Sequence, residues 1–350
     1  MNSRTAILGF ILVVATLPLF ARAKTDLLIM KNGDRMTCEV KGLETGVLYV
    51  SFDYIDGTAS VDWSKVARVE STQSFLVKTE DGSVYSGTLH TMETPTGRPV
   101  RIQVVEDAAH ETELDRAKII AMNGTSDNFW ERFNGQVSFG LNYSKGNQTT
   151  QYSLGSEAAY VRERWTGQAN FTSNLSSSNG ATASTRNELT LFPMRLLRWN
   201  NWFYAGLGDF LQSSVQGISL QTSLGAGVGR YLKNTNRMRI YVVGGAVWQN
   251  TRYQSASANT PNLAAGLVYA DANLFQFSKT NLSITAALIP AVSDPGRVHF
   301  NTNASYYIKL FRNLKWNTSF YGSWDNRPPS GFSGSDYGTS TGLTWTFGLK

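Results

Sequence analysis

The chain has 350 residues, with 32 Lys+Arg against 26 Asp+Glu, a formal net charge of +6, and only 17% charged residues. Apolar residues make up 41% and aromatic residues 12%, which excludes a disordered chain, and the length allows one large domain or two ordinary ones, each with its own core. A single cysteine excludes an intramolecular disulfide framework and a cysteine-based zinc site, and three histidines far apart in sequence argue against a histidine-rich metal site, so no metal and no cofactor are expected.

The average charge hides a division. Residues 1–133 carry 14 basic and 18 acidic residues, net −4, whereas residues 134–350 carry 18 basic and 8 acidic, net +10. The second part is therefore poor in charge, rich in aromatics and glycine, and yet mildly hydrophilic, which is unusual for a soluble domain.

Residues 1–23 read as a secretory signal. Arg4 opens a basic segment, an apolar run follows from Ala6 to Phe20, and Ala21-Arg22-Ala23 supplies the small-x-small pattern before Lys24. The run is shorter than the roughly 20 residues of a spanning helix, and no later stretch is long and apolar enough to be one. The mature chain is expected to be exported, and either soluble or held in a membrane as a β-barrel.

Residues 24–125 contain an internal repeat. The segment Ile29-Met30-Lys31-Asn32-Gly33-Asp34 resembles Val77 to Ser83, pairing Gly33 with Gly82, and Val61-Asp62-Trp63-Ser64-Lys65-Val66 resembles Leu114-Asp115-Arg116-Ala117-Lys118-Ile119. Asn32-Gly33 and Asp81-Gly82 lie between apolar runs and favour the positive-φ geometry of tight hairpins. Met36, Cys38 and Val40 alternate with polar residues, as strands do. Two such units predict one small SH3-like or Sm-like barrel, or two half-barrels packed together. Cys38 reads as a small buried side chain in a strand. An acidic, exported module is a poor nucleic-acid binder, and a binding or spacer role fits better. Residues 126–133 read as a linker.

From residue 134 to the end, segments of about ten residues alternate apolar with polar or small residues. Val137, Phe139, Leu141 and Tyr143 face one way, and Gln136, Ser138, Gly140 and Asn142 the other; Leu314, Trp316, Thr318 and Phe320 oppose Lys315, Asn317 and Ser319. Period two means strand, and one apolar and one polar face over this length suit a wall between lipid and water. Twelve segments are predicted, beginning near 135, 149, 164, 187, 201, 217, 238, 262, 280, 297, 314 and 337. The fourth and eighth have ambiguous parity, which leaves ten or fourteen open. A soluble β-sandwich would have shorter strands and more Lys and Glu on its polar face.

The connections alternate between short turns and mostly longer polar loops, the loop near Ser213 to Gly217 being a short exception. An even strand count then puts both barrel ends, and the N-terminal module, on the periplasmic side of a bacterial outer membrane. Basic residues cluster at the short turns: Arg162, Arg164, Arg198, Lys233, Arg237, Arg239, Lys279, Arg312 and Lys315. They predict a basic periplasmic rim against which the acidic module docks electrostatically. Seven tryptophans, Trp165, Trp199, Trp202, Trp248, Trp316, Trp324 and Trp345, fit interfacial girdles better than a carbohydrate platform. His299 is expected to face the lumen as a solvated side chain. Because His299-Phe300-Asn301 lacks a partner serine, no enzyme is expected.

The final strand carries Ser340, Gly342, Trp345 and Phe347 in polar-x-Gly-x-x-aromatic-x-aromatic spacing, which resembles the C-terminal signal read by the bacterial barrel-assembly machinery, although the chain ends in Leu349-Lys350. With Lys31-Asn32-Gly33-Asp34-Arg35-Met36-Thr37 and Val61 to Val66, the whole plan resembles the salt-induced outer-membrane protein family, a bacterial family of unknown function. Its members often carry Gly where Cys38 stands. The resemblance implies an all-β chain with an outer-membrane barrel, and neither a reaction nor catalytic residues. Two functional classes follow: a small pore or transporter for polar solutes, gated or assisted by the module, or a non-conducting barrel that anchors the module for a periplasmic protein partner. The expected surroundings are outer-membrane lipid and the assembly machinery, without nucleic acid.

Overall fold

The computed structural model describes residues 24–92, 99–107, 110–124, 133–144, 149–162, 164–177, 182–197, 200–254, 262–276, 279–311, 313–328 and 331–347. The signal segment 1–23, most of the linker, Trp199, Arg198 and Arg312 lie outside the described residues. Among the described residues no helix is long and apolar enough to cross a membrane, which leaves a β-barrel untouched as a possibility.

The first nine strands form one sheet: β1 (Asp26–Met30), β2 (Arg35–Glu44), β3 (Val47–Phe52), β4 (Ile55–Asp62), β5 (Val66–Thr79), β6 (Val84–Thr91), β7 (Arg101–Asp107), β8 (His110–Asp115) and β9 (Ile119–Gly124). The repeated sequences take equivalent places. Gly33 and Gly82 sit at φ +93° and +87° in the β1–β2 and β5–β6 turns. Asp62 and Asp115 each precede a short 3₁₀ turn and accept from the backbone N–H two residues on, of Ser64 and of Ala117 respectively.

Closure differs from the SH3-like or Sm-like barrel that the repeat predicts. Strands β1, β2, β9 and β5 pair in a ring of four, with β3–β4 and β6–β7–β8 running off it. The reason lies in β5, a single strand of 14 residues. Its first part, Val66–Glu70, pairs with β1, and its second part, Phe75–Thr79, pairs with β9. The two copies therefore share one strand instead of each closing on itself. Leu28, Val40, Leu43, Trp63, Phe75, Leu89, Ile119 and Met122 make one continuous core. Trp63 Nε1 donates to the Arg116 carbonyl at 2.9 Å, and the Arg116 guanidinium donates back to the Trp63 carbonyl, tying the two 3₁₀ turns together. Cys38 is fully buried in this core, and burial, with Asp26 and Glu39 nearby, pushes its thiol up to about 12.

Twelve antiparallel strands then close a barrel: β10 (Phe133–Ser144), β11 (Thr149–Val161), β12 (Trp165–Ser177), β13 (Ser184–Leu196), β14 (Trp202–Ser213), β15 (Ile218–Asn234), β16 (Met238–Tyr253), β17 (Asn262–Gln276), β18 (Thr280–Pro290), β19 (Val298–Phe311), β20 (Leu314–Asp325) and β21 (Ser335–Phe347). The seam is β10 against β21, with Val137 opposite Trp345 and Phe139 opposite Leu343. Full closure leaves no unpaired barrel edge. The outer face carries the apolar half of each alternating segment: Phe139, Leu141 and Trp345 are 55%, 56% and 54% exposed. Exposed tryptophans collect in two bands, Trp165, Trp316 and Trp345 near the end with the short turns, and Trp248 and Trp324 near the other.

Candidate functional site

The inward faces of the barrel strands enclose a lumen filled in three ways. On the side of β13–β17, Phe192, Met194, Phe203, Tyr231, Tyr241 and Val243 pack into a buried cluster. Phe203 stands 5.1 Å from Tyr231 and 5.6 Å from Tyr241, ring centre to ring centre, the edge and tilted contacts that aromatic quadrupoles favour. Gly227 and Gly229 on the neighbouring β15 make the room, since a Cβ on Gly229 would lie 2.4 Å from the Phe203 ring and one on Gly227 3.0 Å from Val243.

At the end with the longer loops, buried ionic groups cross the lumen. Arg186 bonds Asp336 at 3.1 Å and Glu188 at 3.1 Å while covering the Tyr321 ring, and Ser213 donates to Asp336 at 2.8 Å. Arg297 bonds Asp325 at 2.7 Å and the Tyr253 hydroxyl at 3.1 Å. His299 lies in this group, 3.5 Å from Asp325 and buried. It faces inward, as its parity predicts, but it is not a solvated lumen side chain, because the loop-end residues close over it.

At the short-turn end the nine-stranded module is seated on the barrel. Asn201, in the β13–β14 turn, donates its side-chain amide to the Glu80 carbonyl at 2.7 Å. Asn236, in the β15–β16 turn, does the same to the Ile119 carbonyl at 2.8 Å. Lys309 of β19 donates to the Ser60 hydroxyl at 3.2 Å. Module glycines meet both asparagines: a Cβ on Gly46 would lie 2.9 Å from the Asn236 carbonyl, and one on Gly82 2.8 Å from the Asn201 side chain. Asn200 and Asn201 both hold positive φ, 44° and 63°, so the turn presents its amide toward the module.

Between module and barrel lies a cavity of about 510 Å³. Its module wall includes Glu44, Ser60 and Lys78, and its barrel wall includes Ser138, Gln168, Asn170, Asn303 and Ser319. Six cations line it, Lys78, Arg162, Arg239, Lys279, Lys309 and Lys315, against four carboxylates, Glu44, Glu157, Glu188 and Asp271.

The residues expected to form a basic rim are thus divided by the structure. Arg162, Lys279 and Lys315 border the cavity, beside Lys309, which was not among them, and Arg239 points into it rather than lying on the rim. Lys233 and Arg237 are exposed at the β15–β16 turn, and Arg164 lies at the β11–β12 turn, its carbonyl accepting from the Leu196 N–H at 2.8 Å. The docking also includes neutral contacts that net charge does not suggest. Two of its hydrogen bonds run from asparagine amides to backbone carbonyls, and a third from the Lys309 ammonium to the Ser60 hydroxyl. Charge contributes around them: burial raises the Glu80 carboxyl above its ordinary range, with Lys118 and the barrel's Lys233 opposing the rise. Sequence reasoning missed Asn201, Asn236 and Lys78. The run Asn200-Asn201 carried a turn signal, but nothing showed that the turn would reach another domain.

The fold and site together define a closed twelve-stranded barrel with an apolar outer face and a partly filled polar lumen, stoppered at its short-turn end by a β module. Residues 137–347, well over half of the chain, match the family described as Protein of unknown function, DUF481, and the chain belongs to that family. No curated protein matches the sequence. Among solved structures, the NanC porin is 10% identical, with 61% of this chain and 99% of that chain covered at a TM-score of 0.39. The COG4313 outer membrane channel from Pseudomonas putida F1 is 13% identical over 61% of this chain and 93% of that one, at a TM-score of 0.36. The translocator domain of autotransporter NalP from Neisseria meningitidis is 12% identical over 61% and 87%, at 0.34. Overlap at this level carries no inference about cargo.

Proposed function

We propose that the chain is a bacterial outer-membrane barrel, a stoppered pore that passes small polar solutes when its periplasmic module withdraws. The observation that carries this reading is the cavity, which is lined by polar and apolar groups alike and ends on a module that hydrogen-bonds the barrel at turn tips. The apolar outer face and the two tryptophan bands suit a bilayer and its interfaces. The short turns lie on the module's side, which suits a periplasmic module, export by residues 1–23, and assembly through a signal in β21 that includes Ser340, Gly342, Trp345 and Phe347. The reading assigns the chain no chemical reaction. A salt response enters it only through ionic strength, which screens exposed charges such as Lys233 beyond about 10 Å at 0.1 M.

A second reading is favoured by the aromatic cluster and the Arg186 and Arg297 networks, which occupy much of the lumen. In it the barrel does not conduct and anchors the module for a periplasmic protein partner. Single-channel recording of the full chain in planar bilayers separates the two. The pore reading expects a mostly closed wild-type channel that opens more often when the Asn236 or Asn201 contact is weakened. Silence from wild type and from both weakened variants overturns it in favour of the anchor.

A further inference from the structure

Lys78 leaves the module on β5, between the buried Val77 and Thr79, and projects into the shared cavity. Its ammonium stands 5.1 Å from the centre of the Tyr231 ring on the barrel wall. Arg239 of β16 comes close enough for the two positive charges to act on each other, stacked 5.8 Å from the Phe275 ring. The Arg239 Nε is buried and has no hydrogen-bond partner among the described residues. Two cations from two separate folding units thus meet inside one enclosure, with a donor left over. Like charges brought together under a low local dielectric repel, and a buried polar group without a partner costs about 1–3 kcal/mol. A structure retains such an arrangement where something negative completes it. The carboxylates within electrostatic reach of Arg239 are Asp271 and Glu44. The Asp271 carboxylate already accepts from the Asn273 amide, and over the whole lining cations outnumber carboxylates by six to four.

We propose that Lys78 of the module and Arg239 of the barrel together bind a small oxyanion, the carboxylate or phosphoryl group of a solute in the lumen, at a site that exists only while the module is seated. This deepens the stoppered-pore reading and rests on it: the module acts as half of a solute site as well as a stopper. Tyr231 and Tyr241 wall the site beside the two cations, and about 510 Å³ holds a small organic acid rather than a polymer. In the unliganded protein, burial first and Arg239 second push the Lys78 ammonium down to about 7. An oxyanion beside it reverses that direction, so binding takes up a proton near neutral pH.

The test is isothermal titration calorimetry on the full chain in detergent micelles, with inorganic phosphate and acetate as probes and glycerol as the uncharged control, all at one ionic strength. One saturable site for phosphate or acetate is expected, with Lys78→Met and Arg239→Gln each weakening it at least tenfold and Lys78→Arg retaining it. The two probes tell phosphoryl from carboxylate preference. Arg195→Gln, on the outer face over Trp165, should leave binding unchanged. The proposal is overturned if neither anion binds better than glycerol, if Lys78→Met binds as wild type does, or if Arg195→Gln weakens binding equally. Should Arg239→Gln fail to fold, shown by loss of heat-modifiable gel migration, the Lys78→Met and Lys78→Arg pair decides alone. Conductance plays no part in the readout: binding without conductance removes the pore and keeps the site, and conductance without binding does the reverse.

Discussion

Gly46 offers a controlled way to loosen the module without touching the cavity lining. It sits in the β2–β3 turn at φ +76°, and an added Cβ would meet the Asn236 carbonyl at 2.9 Å. Gly33, in the β1–β2 turn, has a comparable φ of +93°, but a Cβ there would meet nothing within 4 Å. An L side chain in this region costs about 1–2 kcal/mol of backbone strain, and Gly33→Ala and Gly46→Ala share that cost within the module. Only Gly46→Ala also presses on a rigid backbone oxygen across the interface, displacing the Asn236 contact to Ile119. Losing one hydrogen bond and some packing there amounts to about 1–2 kcal/mol, five- to thirtyfold in the seated-to-withdrawn ratio. In planar-bilayer recordings, Gly46→Ala should raise the open probability by that factor while Gly33→Ala leaves it at the wild-type level. Both should lower the melting temperature by a similar amount. Equal open probabilities in the two variants would refute the claim that this turn holds the stopper shut.

Three further outcomes are expected. A Cβ on Gly82 would lie 3.4 Å from the Asn201 Cα, within reach of a disulfide, so the pair Gly82→Cys and Asn201→Cys should lock the channel closed until reductant is added; the buried, weakly acidic Cys38 should not compete, and a labelling experiment with a thiol reagent checks this. Acetate, which keeps one charge state through this range, should bind with constant affinity just below pH 7 and lose about tenfold per pH unit above it, because the free-state Lys78 is depressed from 10.5 to about 7 and the anion requires its protonated form; Arg239, Tyr231, Glu44 and Asp271 face the same space, and Lys78→Arg should flatten the profile, as calorimetry at stepped pH would show. Asp336→Ala leaves the buried Arg186 with Glu188 as its remaining ionic partner and takes away the acceptor of Ser213, so it should destabilise the barrel by about 3 kcal/mol, read as a lower temperature of heat-modified gel migration.

The barrel was legible in the sequence because lipid and water impose opposite demands on alternate residues. Ten of the twelve segments announced their parity, and the observed strand starts at 149, 238, 262, 280 and 314 coincide with the expected ones. The two ambiguous segments became β13 and β17, and the structure gives the reason. Phe192 and Met194 face inward into the aromatic cluster while Leu191 faces out, and Leu263, Ala265 and Leu267 face inward while Val268 is exposed. Where the lumen is filled rather than wet, both faces of a strand are apolar and the alternation disappears. The repeat in the module was equally plain, but its closure was not, because turn residues and periodicity do not report that β5 serves both copies. The docking surface was the least legible part. An asparagine in a turn looks the same whether it satisfies its own backbone or another domain's carbonyl, and net charge says nothing of the amide–carbonyl bonds found there. Lys78 was hidden for a related reason: an alternating strand places a lysine outward, and only the assembled chain shows that outward from the module is inward to the barrel.

The shared strand β5 bears on how the proposed stopper would move. With its first half paired to β1 and its second to β9, neither repeat can peel away without tearing the strand that anchors the other. If the module acts as the proposed stopper, it is thereby denied a half-open form and must leave its seat as one piece or stay. A channel governed by such a body switches between two current levels, and its opening steepens with the number of seat contacts broken at once.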